Sequence, residues 1–196
     1  MQFLIELLGT VAFAISGAMT GIKSKMDILG VAVLGLTTAV GGGILRDLLV
    51  GVTPPTAFQD PVYALTAVVV SLIVFLPFVR PHIDADGMLL NLIDAIGLGM
   101  FTVIGTRIGS EHGSLFQQVF LGALTGVGGG VLRDIFAMQK PMIFVRHFYA
   151  LASILGATVC ALLLPRSEDA AMISATALVV LLRILAAKYK WHLPKA

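Results

Sequence analysis

Long apolar stretches alternate with short polar ones along the whole chain. Seven stretches, at roughly 2–22, 28–50, 62–79, 88–108, 115–138, 147–164 and 170–187, are apolar enough and near enough to 20 residues to cross a bilayer as helices. Turn-forming and charged segments separate them: "KSKMD", "TPPTAFQDP", "RPHIDADG", "GSEHGS", "QKP" and "PRSED". The pattern predicts an all-α integral membrane protein with seven transmembrane helices. The first stretch lacks the basic start and small-residue cleavage pattern of a secretory signal, so it is read as a span.

Composition agrees with that reading. Of 196 residues, 58% are hydrophobic and 12% charged, and the mean hydropathy is +0.98. A soluble domain carries about 25% charged residues. The net charge of +2 gives no reason to expect a nucleic-acid partner. Lysine and arginine set the orientation. With the N-terminus outside, the inner side holds Lys23, Lys25, Arg80, Lys140, Arg146, Lys188, Lys190 and Lys195, and the outer side only Arg107 and Arg166. This bias predicts a multi-pass protein of the cell (inner) membrane with a cytoplasmic C-terminus. Trp191 and its basic neighbours read as an interfacial anchor among membrane lipids.

The spans repeat. "LGLTTAVGGGILRDLLVG" (34–51) aligns with "LGALTGVGGGVLRDIFAM" (121–138), with ten of eighteen positions identical. Upstream, "LIELLGTVAFAISG" (4–17) aligns with "LIDAIGLGMFTVIG" (92–105), which pairs Glu6 with Asp94. Downstream, "YAL" recurs at Tyr63 and Tyr149, and Pro77 is echoed at Pro165. The single transmembrane domain, 1–196, therefore reads as a unit of about 3–79, a second of about 88–164, and a seventh helix at about 170–187. A three-span unit changes direction at each recurrence, so the two copies form an inverted repeat, with a binding or conduction site at their interface.

Each copy places a glycine triplet mid-span: Gly41, Gly42 and Gly43, then Gly128, Gly129 and Gly130. Glycine costs about 1 kcal/mol relative to alanine in an aqueous helix. The triplets are expected to break or kink helices lining a path, close packing through small residues being the other reading. Arg46, Asp47, Arg133 and Asp134 follow within a turn or so. Charge inside a span marks a pathway unless it serves as a structural ion pair. Neighbours on a helix diverge by about 100°, so Arg46 and Asp47 are expected to look away from each other. The two arginines should differ in depth by about 12 Å, at 1.5 Å per residue. Arg46 is then expected to find Glu6 or Asp47, and Arg133 to find Asp94 or Asp134. Ser16, Thr37, Thr38, Thr102 and Thr125 are candidate polar lining, with Lys23 and Lys25 at the inner mouth.

Enzyme chemistry has no foothold. Cys160 is the only cysteine and reads as a small buried residue. His82, His112, His147 and His192 are scattered without ligand spacing, so no metal or other cofactor is expected. "GVGGGV" lies inside a span and lacks the strand context of a nucleotide fingerprint.

The doubled "GGGxLRD" motif and the three-plus-three-plus-one plan, over about residues 3–187, resemble the prokaryotic trimeric intracellular cation (TRIC) channels. That resemblance implies a homotrimer with an ion path in each protomer. The path would be lined by the second and fifth spans, kinked at the two triplets, with Arg46, Asp47, Arg133 and Asp134 as the accompanying charges. It also implies conduction of monovalent cations, chiefly K+, with Na+ the second candidate. Related bacterial proteins regarded as glycine transporters supply the alternative, a carrier of a small amino acid.

Overall fold

The computed structural model describes residues 1–84, 87–145 and 148–191, and all of its regular structure is helical. In chain order the helices are α1 (Gln2–Lys23), α2 (Ile28–Leu49), α3 (Thr56–Gln59), α4 (Pro61–Phe75), α5 (Arg80–Asp84), α6 (Met88–Ser110), α7 (Leu115–Phe136), α8 (Met142–Val145), α9 (Tyr149–Leu163) and α10 (Glu168–Lys188). Arg146, His147, His192 and Lys195 lie outside the described residues, as does part of the "RPHIDADG" connection.

Local chemistry sets the boundaries. The Asp27 carboxylate accepts from Gly30 N–H at 2.7 Å and starts α2. Asp60 accepts from Val62 N–H, with Pro61 in the first turn of α4. Ser114 and Gln117 form a capping box on α7. Ser167 caps α10, whose first turn carries Glu168 and Asp169.

Five helices, α1, α2, α6, α7 and α10, are long and apolar enough to cross a bilayer, with 21 to 23 residues each. At 1.5 Å per residue they reach about 32–35 Å, against a hydrocarbon core of about 30 Å. α4 and α9 are equally apolar but have 15 residues each, about 22 Å. The expected third stretch to residue 79 is shortened. Pro77 disfavours helical backbone at Leu76, which is extended (φ −61°, ψ 136°) and ends α4 at Phe75. The short helices α3, α5 and α8 sit in segments expected to be connections.

α1, α2, α6 and α7 form the centre. α4 packs on α1 and α2, α9 on α6 and α7, and α10 on α6 and α9. The central core joins Phe13, Leu98, Phe101, Tyr149 and Val179. The Phe13 and Phe101 rings lie 5.2 Å apart.

Neither triplet unwinds its helix. α2 and α7 run α-helical through Gly41–Gly43 and Gly128–Gly130. Gly42, Gly128 and Gly129 form the surface on which these two helices cross. A Cβ added at Gly42 would drive into the Thr125 carbonyl oxygen, and one at Gly129 into the Thr38 carbonyl oxygen. A Cβ at Gly128 would stand 3.2 Å from the Gly42 Cα. Intact helical hydrogen bonds fit this arrangement, because freed backbone groups in an apolar interior cost several kcal/mol each. Bare glycine surfaces let the backbones approach closely.

Candidate functional site

Two buried charge clusters lie toward opposite ends of α1, one around Glu6 and the other around Ser16. Ten residues of helix separate these two, about 15 Å of rise.

In the first cluster, Arg46 Nε donates to Asp47 Oδ1 at 2.9 Å, and its Nη2 lies 2.7 Å from the same oxygen. The other Asp47 oxygen accepts from Thr56 N–H at 2.8 Å, which ties the end of α2 to the start of α3. Tyr63 Oη donates to Glu6 Oε2 at 3.2 Å, and the Thr10 hydroxyl donates to the Glu6 carbonyl oxygen. Arg46 supplies the main attractive charge acting on Glu6, while its Nη1 is buried without a hydrogen bond. These groups, with Gly43 and Phe101, line a narrow cavity of about 20 Å³. That is room for about one water.

The second cluster repeats the plan with more partners. Arg133 Nε donates to Asp134 Oδ1 at 2.8 Å, and Nη1 donates to Asp94 Oδ1 at 2.6 Å. Ser16 Oγ accepts from Arg133 Nη1 at 2.6 Å and donates to Asp94 Oδ1 at 2.8 Å. The other Asp134 oxygen accepts from Met142 N–H at 2.8 Å, at the start of α8. The cluster opens on a cavity of about 350 Å³ that Lys23, Thr20, Gln139 and Lys140 also line. Arg46, Asp47, Asp94, Arg133 and Asp134 are all 2–3% exposed. A buried ion removed from its partners costs several kcal/mol, so each arginine is held by its carboxylates.

The neighbouring Arg-Asp pairs do face each other, contrary to the expectation from helix geometry. The Cβ directions diverge as expected, but the long arginine side chain folds back across the helix surface and brings its guanidinium to the next residue. Arg133 takes both of its offered partners, Asp94 and Asp134. Arg46 takes Asp47, and Glu6 accepts from Tyr63 instead. The two arginines belong to separate cavities.

The candidate polar lining divides. Ser16 joins the second cluster. Thr38, Thr102 and Thr125 are fully buried between helices, and their hydroxyls donate to carbonyl oxygens one turn earlier, at Leu34, Leu98 and Leu121. Thr102 also meets Ser153 at 2.6 Å. Thr37 is half-buried and bonds the Val33 carbonyl, away from both cavities. Lys23 lines the second cavity, and Lys25 is exposed in the turn after α1. Gly43 lies on the first cavity, where an added Cβ would meet only Arg46, at 3.7 Å. Gly130 faces the Tyr149 hydroxyl, and Gly41 faces Leu132.

Residues not singled out from sequence complete the picture. Phe13 is 1% exposed and sits on α1 between the two clusters, against Phe101, Gly97 and Gly129. Nothing in an apolar run distinguishes such a phenylalanine from an ordinary core residue. Tyr63 and Tyr149 carried a signal in the repeated "YAL". Arg183 carried one as a cation within a span; it is 6% exposed, with its guanidinium 4.7 Å from the centre of the Tyr149 ring. Among the described residues no group of histidine, cysteine and carboxylate side chains has the arrangement to hold a metal ion.

Comparison with known proteins adds independent findings. The family model described as Glycine transporter matches residues 3–78 and again 91–165. The UPF0126 inner membrane protein YadS of Escherichia coli (strain K12) is 38% identical over 199 residues, covering 98% of this chain and 94% of YadS. A TRIC cation channel structure concerned with conductance superposes with a TM-score of 0.89 at 42% identity, covering 98% of this chain and 96% of that one. The TRIC trimeric intracellular cation channel orthologue from Rhodobacter sphaeroides superposes with a TM-score of 0.89 at 30% identity, covering 97% and 98%.

Proposed function

Since the chain belongs to the prokaryotic TRIC channel family, we propose that it is a monovalent-cation channel of the inner membrane, permeable to K+, with an ion path inside each protomer of a homotrimer. One observation carries the reading: a narrow charged cavity at Arg46 and a larger one at Arg133 lie along α1, with the apolar contact of Phe13 and Phe101 between them; these are taken as the two vestibules of a path. Polar cavities on both sides of a short apolar constriction are the arrangement a gated conduction path requires. The path runs from Glu6, Arg46 and Asp47 past the triplet crossing to Asp94, Arg133 and Asp134. In the conducting state α2 and α7 bend at the triplets, where glycine surfaces let one helix move on the other, and Phe13 leaves the axis.

The same reading takes α1, α2 and α4 as one unit (about 3–79) and α6, α7 and α9 as its inverted copy (about 88–164), with α10 as a seventh spanning helix. The doubled family match and the recurring Arg-Asp-to-backbone contacts support this division. The 15-residue α4 and α9 then cross with the help of their flanking turns and local thinning of the bilayer. Lys23 and Lys140 at the second vestibule, and Lys188 at the end of α10, support a cytoplasmic position for that side.

The second reading, a carrier for glycine or a similar small amino acid, is favoured by the description of the matching family model. Reconstitution into planar bilayers separates the two. Unitary current steps in KCl, with reversal potentials that follow the K+ gradient, are expected. Saturable uptake of radiolabelled glycine by proteoliposomes, with no current steps, would overturn the channel reading.

A further inference from the structure

Three arginines are buried among the described residues: Arg46, Arg133 and Arg183. The first two are counterparts in the repeated motif. Arg183 is on α10, beyond both copies.

Lys23 and Lys140 line the second cavity and have no counterpart on the first, and Arg183, on the wall of a neighbouring cavity, adds to that difference from behind Tyr149. In the first, Tyr63 donates its hydroxyl to Glu6. In the second, the corresponding Tyr149 makes no hydrogen bond through its hydroxyl, and its ring lies beneath the Arg183 guanidinium instead. Asp94, the counterpart of Glu6, pairs with Arg133 at 2.6 Å, and Arg183 is the second cation whose charge acts on it. The first set therefore holds two carboxylates (Glu6 and Asp47) and one guanidinium. The second cavity is lined by two carboxylates (Asp94 and Asp134), one guanidinium (Arg133) and two lysines (Lys23 and Lys140), and Arg183 stands behind it on Tyr149. A purely packing role does not call for the added charge. Arg183 Nε is buried without a hydrogen bond, a cost that an apolar side chain of similar size avoids. Stacking on Tyr149 offsets part of that cost.

We propose that Arg183 adds to the positive charge that Lys23 and Lys140 bring to the second vestibule and thereby deepens the electrical asymmetry of the conduction path, lowering cation occupancy at the Arg133 end relative to the Arg46 end. The proposal rests on the channel reading above. Charge in a low-dielectric mouth focuses its field on the passing ion and changes local cation concentration. Arg183 touches neither the ion nor the axis in this account; it acts through Asp94 and Tyr149.

The test is the single-channel current–voltage relation of the reconstituted full chain in symmetrical KCl. In about 0.1 M salt, Arg183→Gln is expected to raise the current of cations entering from the Arg133 side about two- to five-fold relative to the opposite direction. The Debye length falls from about 10 Å at 0.1 M to about 3 Å at 1 M, so the difference should shrink in 1 M KCl. Arg183→Lys keeps the charge and should keep the wild-type ratio. If Arg183→Gln does not assemble, Arg183→His compared at about pH 5.5 and about pH 8, beside wild type at both, changes the charge within one folded protein. A rectification ratio in Arg183→Gln equal to that of wild type at low salt overturns the proposal. So does a change that Arg183→Lys shares in full, or an Arg183→His ratio that follows wild type at both pH values. A wild type that carries no current overturns the channel reading and this inference together. A conducting wild type with an indifferent position 183 overturns this inference alone.

Discussion

Two adjacent glycines should respond in opposite directions to the same substitution. At Gly42 an added Cβ meets backbone, the Thr125 carbonyl oxygen and, at 3.2 Å, the Gly129 nitrogen. Backbone of a packed helix cannot swing aside as a side-chain tip can, so α2 and α7 would have to part by on the order of 1 Å. Overpacking of this kind costs about 1–3 kcal/mol, while replacing glycine by alanine in a helix returns about 1 kcal/mol. Gly42→Ala is therefore expected to be neutral to about 2 kcal/mol destabilising. At Gly43 the nearest atom is the Arg46 Nη2 at 3.7 Å, an ordinary contact. Gly43→Ala keeps most of the helix-propensity gain and should stabilise by up to about 1 kcal/mol. The assay is thermal unfolding of the purified protein in detergent, followed by the loss of its size-exclusion peak. A midpoint for Gly42→Ala at or above that of Gly43→Ala would refute the packing argument. Gly42→Ala combined with Gly129→Ala should deviate from additivity, because both positions belong to one crossing.

Other outcomes follow from the clusters and the plug. Arg133→Ala strands Asp94 and Asp134 in the interior and should cost about 3–5 kcal/mol, whereas Asp94→Asn leaves Arg133 paired with Asp134 and should cost less. Thermal midpoints of the two variants check that order. Phe13→Ala removes the ring between the vestibules, so the reconstituted variant should show a higher open probability or conductance than wild type; unchanged currents would remove Phe13 from the gate. Cys160 is fully buried, so a maleimide should label it only after unfolding in detergent such as dodecyl sulfate, which gel mobility reports.

The helices and most of their limits were legible in the sequence, because a bilayer imposes its thickness on apolar runs and turns punctuate them. The expected stretches at 28–50 and 115–138 correspond to α2 and α7 within two residues. The repeat located the charges at 46–47 and 133–134, because a charge inside a span is costly enough to stand out. The partners were less legible. Helix geometry directs adjacent Cβ atoms apart, and only the coordinates reveal that each arginine folds back onto the next aspartate. The triplets illustrate the same division. Three glycines in a row state that something needs bare backbone, and both a break and a crossing satisfy that need. Tertiary structure chose the crossing: the Thr38 and Thr125 carbonyls of α2 and α7 fill the space that side chains would occupy, and the helical hydrogen bonds stay intact. Periodicity and length report on single apolar helices, so the sequence by itself determined the apolar helices, their punctuation and the doubled motif. Which buried groups meet depends on how separate helices cross, so only the tertiary structure decided that Ser16 and Asp94 share Arg133, that Phe13 stands between the two charge clusters against Phe101, and that Arg183 leans on Tyr149.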